Sequence, residues 1–181
     1  MKYNLEFILR QYQAKGKLKY VFFWGDTERG DEVTKACFSQ WYPSVFEVNG
    51  ITYKTAEQYM MAQKALLFQD QEIYEEIMAA IHPKQCKALG QRVRHFSQTV
   101  WDEKKSQIVI DGNVAKFSQN PKLKDYLIKT GERVLVEASP YDKIWGIGMA
   151  EDNDKVTNPL EWKGQNLLAF ALMEVRDRLR E

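Results

Sequence analysis

Phe46-Glu47-Val48-Asn49-Gly50-Ile51-Thr52-Tyr53-Lys54-Thr55-Ala56-Glu57-Gln58-Tyr59 runs a hairpin directly into a helix. Two short alternating runs flank Asn49-Gly50, the dipeptide that best tolerates the two positive φ angles of a tight hairpin turn. Thr55 and Gln58 then have the spacing of a capping box, in which the Thr hydroxyl accepts the backbone N–H three residues on and the Gln side chain reaches back. Strand, turn, strand and helix therefore follow one another without a crossover, which favours α+β over a doubly wound parallel sheet. Glu57 falls in the helix's first turn. There the unpaired N–H groups and aligned dipoles favour an anion by ~0.3–1 kcal/mol, suiting an ionised carboxylate.

Upstream of this stretch, Asn4 to Lys15 places Leu5, Ile8, Leu9 and Tyr12 at helical spacing and ends at Gly16. Tyr20 to Trp24 reads as a buried strand, followed by the charged loop Gly25 to Asp31. Downstream, helices are expected over Ala56–Phe68, Gln71–Ala80, Pro83–Gly90, Thr99–Ser118, Leu123–Lys129 and Leu167–Leu179, with a short buried strand at Arg133–Ala138. The expectation is a helix-rich α+β single domain over 1–181 around a small β-sheet, with 1–19 as an N-terminal helical extension.

A 181-residue chain can bury enough surface to be stable without staples. Its net charge of +1 gives no bulk electrostatic case for long nucleic acid or an anionic membrane. Two cysteines cannot make a disulfide framework, and no apolar run approaches the ~18 residues of a spanning helix. The lysines among the first twenty residues argue against a signal peptide, so a soluble protein of the cytoplasm is expected.

No Walker loop, complete GxGxxG, His-Glu-x-x-His or paired Cys-x-x-Cys is present, so NTPase, dinucleotide-fold and zinc chemistry have no support. Three groups of residues remain. Glu57 and Lys64 are seven residues apart, hence on nearly one helix face. Glu137 to Gly148 joins a strand end to a loop holding Asp142, Trp145, Gly146 and Gly148. Trp162-Lys163-Gly164-Gln165-Asn166 opens the last helix, whose backbone N–H groups are candidates for a phosphate. Each group also has a plain reading: Glu57 complements a dipole, Glu137 pairs with an arginine such as Arg176, Asp142 bonds its own turn, and the tryptophans fill a core.

In these residues the chain resembles the NADAR family, also called YbiA-like or riboflavin biosynthesis intermediates N-glycosidase. The resemblance is carried from Phe22 onward by Phe38-Ser39-Gln40-Trp41-Tyr42-Pro43, Tyr53 to Tyr59 with Gln63-Lys64, and Trp101. It continues through Ala115-Lys116-Phe117 with Asn120, Leu135-Val136-Glu137, Asp142, Trp145 to Gly148, and Gly164-Gln165-Asn166 with Leu172-Met173 and Arg176. Gln58 stands where the family usually has His, Gln40-Trp41 where it has Asn-Phe, and Leu168 where it has Gly.

The resemblance implies hydrolysis of an N-glycosidic bond between a base and a ribose phosphate or ADP-ribose, without metal or cofactor. The substrate is nucleotide-like and small, a riboflavin precursor, or is ADP-ribosylated guanine in nucleic acid; no membrane partner is expected. It makes Glu57, Asp142 and Glu137 the catalytic candidates. Phe38, Ser39, Tyr59, Lys64, Trp101, Trp145, Gly146, Gly148 and Asn166 are the substrate-binding candidates. A non-catalytic nucleotide or ADP-ribose sensor is the alternative the same motifs allow.

Overall fold

The computed structural model describes residues 1–28, 30 and 32–180; Arg29 and Asp31, in the charged loop, and Glu181 lie outside the described residues. In chain order the elements are α1 (Leu5–Lys15), β1 (Tyr20–Phe23), β2 (Phe46–Val48), β3 (Ile51–Tyr53), α2 (Ala56–Leu67), α3 (Gln71–Ala79) and α4 (Pro83–Gly90). They continue with α5 (Gln98–Gln119), α6 (Pro121–Lys129), β4 (Val134–Glu137) and α7 (Leu167–Arg180). Short 3-10 turns lie at Lys35–Phe38 and Pro159–Glu161. The fold is α+β, and the chain divides into two compact units, 1–39 with 122–181, and 40–121.

In the unit 40–121, the hairpin forms with Phe46 opposite Tyr53 and Val48 opposite Ile51. Asn49 and Gly50 take φ of 52° and 79°, the paired positive angles that this dipeptide tolerates. α2 is buried at Ala56 through Ala62 and at Ala65, too broad a face for a surface helix, and α3, α4 and α5 pack around it. Ala62 and Ala65 are fully buried on it, and Gly112 of α5 receives the Tyr59 ring.

The unit 1–39 with 122–181 is built on β1 and β4, which pair in parallel from Tyr20 opposite Val134 to Phe23 opposite Glu137. A parallel pair needs both faces covered, which is why β4 is the continuous apolar run Val134-Leu135-Val136. α7 packs on β4 through a stripe that includes Leu168, Phe170, Ala171, Leu172 and Val175, each at most 1% exposed. α1 begins at the Asn4 cap, ends at Gly16 with φ of 71°, and its approach is tied to α7 by the Tyr3 hydroxyl donating to Asp177 at 2.8 Å. No helix among the described residues is long and apolar enough to cross a membrane.

Candidate active site

Glu57 occupies the first turn of α2, as its sequence predicts, and is 4% exposed. Its backbone N–H donates to Gln40 O at 2.9 Å, so Gln40 holds the helix start. The capping box is realised in half. Thr55 Oγ1 accepts Gln58 N at 3.1 Å, but Gln58 Oε1 takes the N–H of Lys54 rather than that of Thr55. Gln58 Nε2 donates to Ile77 O and Met78 O, fastening α2 to the end of α3. Gln58 is thus a buried brace between elements. Close by, burial first and the Glu57 charge second push the Cys86 thiol up to about 11, which makes it a poor nucleophile at neutral pH.

Lys64 lies one helical face along from Glu57. Its ammonium donates to Gly90 O at 2.7 Å and sits 4.4 Å from the Phe96 ring centroid and 5.5 Å from that of Trp101. Burial pulls its pKa down, while the aromatic faces and the carbonyl supply the negative potential that an ammonium seeks. Trp101, predicted to bind substrate, is itself buried and serves as one wall of this lysine site.

In the other unit, Glu137 closes β4 with both backbone groups anchored. Its N–H is held by Asn166 Oδ1 at 2.9 Å and its carbonyl accepts Ile147 N at 3.0 Å. The following loop folds on itself: Ser139 Oγ accepts Tyr141 N and Asp142 N, and Asp142 Oδ1 accepts Ile144 N at 2.8 Å and Trp145 N at 2.7 Å. Asp142 therefore makes the turn bonds that its loop position suggests, and those bonds set the half-buried Trp145 in place. Gly146 and Gly148 are buried in the same loop. A Cβ on Gly146 would stand 2.9 Å from Glu137 O, so only glycine permits that approach.

Several sequence expectations change here. The N–H groups of Asn166, Leu167 and Leu168, read as a phosphate cradle, donate instead to the carbonyls of Gly146, Ile144 and Trp145. Asn166 is fully buried at φ of 57°, and its side chain bridges Glu137 N and Leu135 O, which makes it a clamp between β4 and the loop. Phe38 is fully buried against Phe23 and Tyr126, and Tyr59 lies in a cluster with Phe46 and Tyr53. Both rings lie in the core. Ser39 is half-buried, with its N–H on Ala36 O. Arg176, suggested as the partner of Glu137, donates to Thr130 Oγ1 and Arg133 O.

A NADAR domain model matches residues 22–180. The chain belongs to the NADAR family. Among NADAR relatives, a protein named N-glycosidase from Acanthamoeba polyphaga mimivirus is 47% identical over 88% of this chain and 95% of its own length. N-glycosidase YbiA of Escherichia coli is 31% identical over 78% of this chain and 80% of its own. The NMR structure of the Escherichia coli protein YbiA matches with a TM-score of 0.72 at 28% identity, covering 91% of this chain and 86% of that one. In this NADAR chain β1 stops at Phe23, so Trp24, read in the sequence as the end of a buried strand, is exposed, and Tyr141, which was not singled out, is exposed too, because no periodicity distinguishes an exposed aromatic from a buried one.

Proposed function

We propose that this protein is an N-glycosidase that hydrolyses the bond between a base and the C1′ of a ribose phosphate or an ADP-ribose, its substrates riboflavin-precursor intermediates or ADP-ribosylated guanine. The reading is carried by the match of the NADAR model to residues 22–180, joined to relatives that bear the name N-glycosidase over most of both chains. A cytoplasmic setting belongs to the same proposal.

Breaking this bond develops positive charge on C1′ and the ring oxygen while the departing base gains an electron pair. Water supplies the hydroxyl that C1′ acquires and the proton that finally rests on the base. Glu57 is assigned the anionic role: a buried carboxylate at the positive end of α2, suited to stabilise the oxocarbenium-like state or to activate the water. Glu137 is assigned the proton for the leaving base, on a strand end fixed through both of its backbone groups. Asp142 holds the Trp145 loop, and Trp145 offers its partly exposed ring to the base. Lys64 serves the phosphate.

The test is to incubate the purified protein with a ribosylaminopyrimidine phosphate, NAD and ADP-ribosylated guanine, and to identify released base by mass. Glu57→Gln removes the charge and keeps the shape, so turnover should fall at least a hundredfold with an unchanged circular dichroism spectrum. Wild-type turnover in that variant would remove Glu57 from the mechanism. Binding without release of base from any substrate would support the sensor reading instead.

A further inference from the structure

We propose that Trp24 and Tyr141 form a stacking subsite for a second planar base of the substrate, away from the bond that is cut; this rests on the nucleotide-like substrate of the preceding reading. Trp24 follows directly on β1, whose last residue, Phe23, lies opposite Glu137 and accepts Ala138 N at 2.9 Å through its carbonyl. Tyr141 stands four residues past Glu137 on the loop that carries Asp142 and Trp145. The two rings therefore meet at the carboxyl ends of the parallel strands, where ligands of open α/β pairings gather. Their centroids are 6.0 Å apart at 56°, yet Trp24 is 57% and Tyr141 84% exposed. Each ring touches the other and leaves most of its surface to water.

A single exposed aromatic needs no explanation, but two in contact beside a candidate site make an exposed apolar patch. Its shape fits a flat, sequence-tolerant ligand better than an aliphatic one, since a base offers a π-face to both rings. The charge nearby agrees. Lys143, two residues beyond Tyr141, and Lys163 are exposed, and the stems of both side chains border Gly148 of the same loop. Aromatic rings on a loop flanked by exposed lysines match a base joined to phosphates. Neither ring bonds to the reacting atoms in this scheme; the pair sets affinity and preference among substrates.

Titration calorimetry of the full chain with ADP-ribose and with ribose 5-phosphate separates this subsite from the chemistry, because it needs no turnover. The wild-type protein should bind ADP-ribose at least tenfold more tightly than ribose 5-phosphate. Trp24→Ala and Tyr141→Ala should each lose about five- to tenfold on ADP-ribose and nothing on ribose 5-phosphate, while Trp24→Phe restores most of the affinity. The proposal is overturned if the wild-type protein does not prefer ADP-ribose, if both alanine variants keep its affinity, or if they weaken both ligands equally. Should no base be released from any substrate, the N-glycosidase reading fails while this result still stands or falls by itself.

Discussion

Gly164→Ala is the most exacting check on the loop that carries Asp142 and Trp145. A Cβ at Gly164 would stand 2.3 Å from Gly146 O, 2.8 Å from Lys143 Cα and 2.9 Å from Ile147 C. All three are backbone or α-carbon atoms, so no side chain can swing aside. To restore an ordinary contact of about 3.4 Å, the two segments must part by roughly 1 Å. That movement stretches three bonds: Lys163 N to Ile147 O at 2.9 Å, Gln165 N to Lys143 O at 2.9 Å, and Asn166 N to Gly146 O at 3.1 Å. At about 0.5–1.5 kcal/mol each, their loss costs roughly 1.5–4.5 kcal/mol. Residual overpacking adds about 1–3 kcal/mol where the segments fail to part fully. Against this, alanine restricts the unfolded chain and returns only about 0.4–1 kcal/mol. The clash wins, with an expected net loss of about 1.5–7 kcal/mol, or about 3–28 °C in Tm for a chain of this size. Urea unfolding followed by tryptophan fluorescence and far-UV circular dichroism measures it. A variant within about 0.5 kcal/mol of wild type would show that Gly164 does not pack against the loop this closely, and the positioning of Trp145 would lose its support.

Two further outcomes follow from the same coordinates. Asp142→Asn keeps an oxygen for the N–H groups of Ile144 and Trp145, so if Asp142 works by holding the turn, the variant retains its fold and most of its turnover, whereas Asp142→Ala loses at least tenfold in kcat; equal losses in both would mean that the charge itself is needed. At alkaline pH, burial pushes Cys86 up to about 11 and Tyr20 and Tyr53 up to about 12, so the unfolded chain gives up these protons first. Their stabilising effect is complete below pH ~9 and fades as pH rises through ~9–12, outweighing the opposite trend from Lys64, whose pKa burial lowers. Urea unfolding at pH 8, 9, 10 and 11 should show falling stability, with the fall between pH 9 and 11 shallower in Cys86→Ala; a flat or rising profile would contradict the burial of these groups.

Much of the fold was legible because its signals are local. Asn49-Gly50 can satisfy two positive φ angles by itself, and Thr55 can cap α2 without help from elsewhere. The stripes of α3 and α7, and the proline and glycine at the ends of α4, set their elements in the same way. The partner of β1 was not legible. Tyr20 to Phe23 pairs with a strand more than 110 residues away, and no short-range pattern says which apolar run will lie beside it. The same limit explains Gln58, whose side chain reaches past the expected cap to Lys54 and across to Ile77 because those groups lie near it only after folding.

By itself the sequence determined an α+β chain, a carboxylate in the first turn of α2, and the residues that place it in the NADAR family. Tertiary structure alone decided where each marked residue lies. Asn166, Phe38 and Tyr59, expected to bind substrate, lie buried, the first bridging β4 and its loop and the other two in the core, and the N–H groups at the start of α7 go to loop carbonyls. Trp24, read as part of a buried strand, and Tyr141, which carried no mark, came out as an exposed aromatic pair at the strand ends. The physical reason is that residue type and spacing fix a side chain's chemistry and its helix or strand face, whereas exposure and hydrogen-bond partners depend on which distant segments come to lie against it.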